Sequence, residues 1–212
     1  MTNTKLSNLH KHLTLAIIIL IITTAIVGAI FVVTVGFTSS EEVTHSNEFY
    51  ELRGNPTKYQ DNLFKELTNE LDKSEKDDLA IASLVVQNFI ADYYTWNNKL
   101  GTFDVGGKTF VFATEFTNFN ATTRRYLYEP MLNYIASGLE MSDLTEVESV
   151  TITAKNYAFP FDYNGTTFTS FYLEATWTYA SNEKIDTSVF QNWGAFTVIK
   201  TEEGRYEIAR FY

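Results

Sequence analysis

Residues Leu13 to Phe37 form a single uncharged stretch, LTLAIIILIITTAIVGAIFVVTVGF, in a chain of 212 residues. At about 1.5 Å rise per residue, a helix of this length crosses a hydrocarbon core of about 30 Å with some tilt. No polar face interrupts it, which sets it apart from a helix of a soluble core. A cleavable secretory signal has a shorter apolar stretch of roughly 7–15 residues and ends in small residues at its cleavage site. This run leaves through Val35-Gly36-Phe37-Thr38, which has no such pattern. It therefore reads as an uncleaved anchor. The chain divides into a tail (residues 1–12), a transmembrane helix (13–37), a juxtamembrane linker and helical stalk (38–76) and a C-terminal domain (77–212).

Flanking charge orients the anchor. The tail carries Lys5 and Lys11 and no acid, whereas the opposite flank opens with Glu41-Glu42. Basic residues are retained on the cytoplasmic side. The expected location is thus the cell membrane, with a cytoplasmic N-terminus and an extracytoplasmic domain.

The whole chain has a formal charge of −10. The first 37 residues contribute two lysines, so the remainder holds 14 basic and 26 acidic side chains, a charge of −12. Phosphate binding needs clustered cations, and no cluster here exceeds Arg124-Arg125. Direct nucleic-acid binding is excluded on that ground. The chain has no cysteine, so no disulfide supports the domain and its apolar core must supply the stability.

Beyond the anchor, Thr38 to Arg53 is rich in Ser, Thr and Glu. Asn55-Pro56 then predicts a helix cap with proline at the first helical position. The segment that follows places Leu63, Leu67 and Leu71 four apart beside Phe64, a narrow apolar stripe on a charged helix. It is either a spacer packed on its own domain or a stalk that pairs with other chains. Leu79, Ala82, Val86, Phe89, Tyr93 and Trp96 recur at spacings of three and four, the signature of an amphipathic helix. Asp77 and Asp78 suit its positive end. Gly106-Gly107 marks a turn, and a second helical region spans Asn120 to Ser137, with Pro130 kinking or restarting it.

From Glu146 the texture changes to Thr, Val, Tyr and Phe, residues of pleated surfaces. Four strands are expected: Val147 to Phe159, Thr166 to Ala180, Val189 to Lys200 and Arg205 to Phe211. Asn164-Gly165 is a tight hairpin turn between the first two. Helices followed by an antiparallel meander make an α+β domain, with helices covering one face of a curved four-stranded sheet.

This layout resembles the scaffold subunits of bacterial type IV secretion and conjugation machines. The resemblance rests on a short tail, one anchor, a linker helix, a long aromatic helix containing VVQNFIADYYTW and a meander closing on FTVIKTEEGRYEIARFY. It spans about residues 10–212. It implies a nuclear-transport-factor-2-like cone (a cystatin-like fold), self-association, contacts with other channel subunits and no catalysis.

Histidine occurs only at positions 10, 12 and 45, all before the domain. A domain without His or Cys has no imidazole base, no thiolate and no soft metal site. The pairs Asp77-Asp78, Glu140 with Asp143, Glu146 with Glu148 and Glu202-Glu203 sit at helix starts, links and turns, where acids are normally solvated. No stretch has the spacing of a calcium loop. No catalytic, cofactor-binding or metal-ligating residue is assigned.

Two features suit a pocket or an interface instead. Tyr93, Tyr94 and Trp96, following Asp92, are either core or the lining of a cavity at the helix end. Arg124 and Arg125 either pair with acids such as Glu129 or meet a partner. The expected function is a non-enzymatic, single-pass scaffold of a conjugation or type IV secretion-like envelope complex. It would act through homo-oligomerisation and docking to other envelope or channel subunits, without a cofactor. The alternative is an envelope-anchored ligand- or peptide-binding domain using the pocket of the same fold.

Overall fold

The computed structural model describes residues 46–112 and 116–212. The tail, the apolar run, the three histidines and the first part of the linker lie outside the described residues. Among the described residues, no helix is long and apolar enough to cross a membrane.

Helix α1 is Lys58–Leu71. The start that the sequence predicts at Asn55-Pro56 moves two residues on, because Thr57 and Gln60 close a reciprocal capping box. Gln60 N donates to Thr57 Oγ1 (3.2 Å) and Thr57 N donates to Gln60 Oε1 (2.8 Å). The leucine stripe is buried with Phe64, so α1 packs into the same compact unit as everything C-terminal to it. It faces the second helix through polar bonds as well. Gln60 Nε2 donates to Ala91 O (2.9 Å), and Asn88 Nδ2 donates to Leu63 O (3.0 Å).

Helix α2 is Asp78–Tyr93, capped by Asp77, whose carboxylate accepts from Leu79 N (2.9 Å) and Ala80 N (3.1 Å). It is enclosed on more of its circumference than a single stripe predicts: Ile81, Val85, Ile90 and Ala91 are buried along with Ala82, Val86, Phe89 and Tyr93. One side meets the sheet and the other meets α1, which makes α2 a central helix. Trp96 lies beyond its end.

Helix α3, Phe116–Thr123, runs into a π-helical turn, Arg124–Tyr128, before α4, Met131–Ala136. Pro130 has no N–H to donate and opens the new helix. Glu129 N reaches back five residues to Arg124 O (2.8 Å).

The antiparallel sheet has five strands: β1 (Val147–Tyr157), β2 (Phe161–Tyr163), β3 (Thr166–Tyr179), β4 (Trp193–Lys200) and β5 (Tyr206–Phe211). Their order is β1-β3-β4-β5, with β2 beside the first residues of β3. The four-strand expectation is corrected at two points. The ladder of β1 continues through Ala158 N to Ser170 O (2.9 Å), then Pro160 interrupts it and Phe161–Tyr163 pair afresh with Phe168–Thr166. The third expected strand starts at Trp193, because Asp186 caps a 3-10 turn over Thr187–Val189. The Asn164-Gly165 turn forms as expected, with φ of 48° and 84°, both in the left-handed region that a two-residue type I′ hairpin requires.

Register shifts within the β1–β3 and β4–β5 ladders bend the sheet. β3 and β4 separate β2 from β5, yet the Arg210 guanidinium lies 5.1 Å from the centre of the Phe161 ring. The far edge of β5 is partly covered by a parallel bridge at Val111, where Phe112 N donates to Ile208 O (3.0 Å). The main core fills the space between α1, α2 and the concave sheet face, with Phe89, Phe171, Phe196 and Tyr206 among its largest members.

Candidate functional site at the end of the central helix

The last turn of α2 is a meeting point. Tyr128 OH, from the π turn, donates to Tyr93 O (2.8 Å) and accepts from Gly106 N (3.0 Å). The Tyr93 hydroxyl lies 3.0 Å from Thr123 Oγ1. One aromatic side chain thus gathers the α2 terminus, the Gly106-Gly107 turn and the helices after it.

Two cavities open beside this junction. The larger, of about 350 Å³, is walled by Tyr93, Val111, Phe119, Ile208 and Phe211. Asn118, Thr122, Thr123 and Arg210 add its polar groups. The smaller, of about 230 Å³, shares Tyr93, Phe211 and Tyr212 and adds Tyr94, Tyr126, Leu127 and Gln191. The Tyr93 ring stacks on Phe89 (4.9 Å) and meets Phe119 and Phe211 at 5.5 and 5.6 Å. That packing fixes the floor of the larger cavity.

The five residues singled out from the sequence separate into three groups. Tyr93 and Tyr94 are both buried and reach the cavities, and Tyr94 also packs on Trp177 at 4.5 Å. Trp96 turns away into a side cluster with Phe190 (5.2 Å) and Tyr134 (6.3 Å). Arg124 and Arg125 are exposed on the π turn between the cavity-lining Thr123 and Tyr126. Neither forms an ion pair among the described residues, so pairing with Glu129 is not made; Arg125 lies over the Tyr126 ring at 5.4 Å.

Beneath the junction lies a charge cluster that the sequence does not announce. Asp92 Oδ1 receives Arg53 Nη1 (2.7 Å) and Lys99 Nζ (2.9 Å), and its Oδ2 receives Gly107 N (2.7 Å). Arg53 Nη2 reaches Asp104 Oδ2 at 2.5 Å. Lys99 is fully enclosed and also donates to Asp92 O (2.6 Å). Burial alone would push the Asp92 carboxyl up. The Lys99 and Arg53 charges and the Gly107 N–H more than offset that and hold it well below the usual carboxylate range. Burial pushes the Lys99 ammonium down against the opposing pull of Asp92. With both charges of each sign satisfied, the cluster staples the loop from Asn97 to Gly107 onto α2. Positions 53, 92, 99 and 104 have no periodic relation, so only the folded geometry reveals the set.

A second charged contact sits at the other end of α2. Asp78 Oδ1 accepts from Tyr206 OH (2.5 Å) and Lys200 Nζ (2.9 Å). Among the described residues no group of acidic, His or Cys side chains is arranged to hold a metal ion. Burial raises the Tyr93 and Tyr94 hydroxyls above their ordinary value. They are therefore neutral hydroxyls at neutral pH, able to donate and accept hydrogen bonds. Apolar walls, neutral hydroxyls and two amides, Asn118 and Gln191, equip these cavities to bind. Comparison of the chain with known protein families, with characterised proteins and with solved structures finds no match.

Proposed function

We propose that this chain is a non-enzymatic, single-pass membrane scaffold of a conjugation or type IV secretion-like envelope complex, working by self-association and subunit docking. The observation that carries it is the structural use of the two α2 acids whose carboxyls titrate below the ordinary value. Asp78 and Asp92 are committed to ion pairs that hold helices and loops; no described acidic side chain lines the two cavities that share Tyr93, and in a third, of about 220 Å³, the lining Asp92 and Asp104 are both paired with Arg53. Several large apolar side chains are left at the surface for contacts, foremost Phe159, which is 93% exposed beside Pro160.

The layout adds to this. Asn47 Nδ2 donates to Thr68 Oγ1 of α1 (3.0 Å), so the folded unit is tied down from its first described residues. Eight residues, 38–45, separate the apolar run from that point. Fully extended, they reach less than about 30 Å. In this account the domain works close to the membrane surface, and the helices on a curved antiparallel sheet form a nuclear-transport-factor-2-like cone.

The test is the mass of the full chain extracted in mild detergent, alone and after deletion of residues 1–37. A scaffold forms discrete oligomers that persist, at least as dimers, without the anchor. A monomer in both forms at every concentration contradicts self-association. The second reading, a ligand-binding envelope domain, draws on the larger cavity, whose volume falls at the low end of small-molecule sites of about 300–1,000 Å³.

A further inference from the structure

We infer that Lys155 and Tyr157, on the edge strand β1, and Phe159, at the bend after it, form a second membrane contact that seats the domain on the lipid surface. The inference rests on the reading of Leu13–Phe37 as an anchor and adds where the domain touches the bilayer.

The short link to the apolar run decides what meets this edge. Eight residues, 38–45, join the run to Ser46 and reach less than about 30 Å. They arrive at a defined end of the folded unit. Asn47 is bound to Thr68, in the last turn of α1, and Tyr50 OH is bound to the backbone of Tyr206. The start of α2 lies at the same end, where Asp78 accepts from Lys200 Nζ and Tyr206 OH. By Arg53 the chain has crossed to Asp92, in the last turn of the 16-residue α2, about 24 Å away along the helix. Phe159 belongs to the first end. Two ring contacts lead there from Tyr206, to Phe171 at 5.9 Å and from Phe171 to Tyr157 at 5.3 Å.

The edge carries what a membrane boundary takes up. Tyr157 is 64% exposed, and Phe159, at 93%, is the most exposed large apolar side chain among the described residues. Lys155 and Tyr157 pair with Leu173 and Phe171 and so share one side of β1. Aromatic rings settle at the headgroup level, and a lysine stem lies along apolar surface with its ammonium in water. Glu202 and Glu203, on the turn from β4 to β5 at this end, offset the Lys155 charge. Burial of the rings therefore makes the contact, and lipid without net charge suffices.

The native chain has no cysteine, so single nitroxide labels can be placed on the full chain in phosphatidylcholine vesicles. The labelled variants are Tyr157→Cys, Phe159→Cys, Val27→Cys in the apolar run and Leu100→Cys, an exposed site beyond the other end of α2. Tyr157→Cys keeps Phe159 in place and decides the result where the two edge sites differ. Expected at residues 157, 159 and 27 are collisions with oxygen, which concentrates in lipid, and loss of the collisions with a water-soluble nickel chelate that position 100 retains. Nickel collisions at 157 as frequent as at 100, with 27 in lipid, overturn the contact and leave the anchor standing. A label at 157 shielded from both reagents overturns it in favour of a protein partner at this edge. Nickel collisions at 27 overturn the anchor reading and the contact with it.

Discussion

The Tyr50 hydroxyl donates to Tyr206 O at 2.7 Å and accepts from Tyr206 N at 3.0 Å, so one side chain satisfies both backbone groups of a residue 156 positions away. Tyr50 is buried, stacks on Phe110 at 5.0 Å and lies under the Arg205 guanidinium. A residue just ahead of α1 is thereby built into the sheet.

Tyr50→Phe keeps the ring and removes both bonds, leaving a buried N–H and a buried carbonyl without this partner. The expected loss is about 1–3 kcal/mol of unfolding free energy in urea. An unchanged midpoint would show that the segment before α1 is dispensable to the domain.

The Asp92 cluster makes stability depend on acid. Its carboxyl titrates lower in the folded chain than its ordinary value of 3.8, so its stabilisation is complete above that value and is lost as pH falls through the lower folded one. Asp92→Asn leaves the enclosed Lys99 ammonium without its main counter-charge, at a cost of about 3 kcal/mol at pH 7. The variant should also lose less stability than the native protein between pH 5 and pH 2. Parallel curves for the two proteins would refute this electrostatic role.

Gly106 approaches α2 so closely that a Cβ there would strike the Asp92 carbonyl carbon and oxygen. These are backbone atoms and cannot swing aside. Gly106→Ala is expected to cost about 2 kcal/mol and to raise amide exchange through the loop from Asn97 to Gly107. Native-like exchange in that loop contradicts the close approach.

Trp96 and Trp177 are both almost fully buried, and replacement of either by Ala should cost about 3–5 kcal/mol. They differ in their indole N–H groups. Trp177 Nε1 donates to Tyr179 OH at 3.0 Å, whereas Trp96 Nε1 has no partner among the described residues. Trp177→Phe should therefore cost more than Trp96→Phe in thermal unfolding. The reverse order would place an unseen acceptor at Trp96.

What the sequence makes legible is local and periodic. The three-and-four spacing from Leu79 to Tyr93 locates α2, alternation along Phe171 to Tyr179 locates β3, and Asn164-Gly165 fixes its hairpin. The misreadings have physical causes. Trp96 continues the helical spacing, but the chain leaves the helix after Tyr93 to bring Trp96 N to Thr145 O (2.8 Å). Three-residue β2 is too short to show a period. The stretch holding Tyr50 looks like linker because its composition is polar, while a single tyrosine carries its attachment. Of the site, Tyr93 and Tyr94 were visible as an aromatic run. Phe119 and Arg210 come to them only through the packing of α3 and the closing of β5.

The most direct test of the scaffold proposal is affinity purification of the full-length anchored protein from its host in mild detergent, with mass spectrometry of the proteins retained. The scaffold account predicts co-purification of channel ATPases and other envelope subunits in stable proportion. Recovery of this chain alone as one monodisperse species would contradict it.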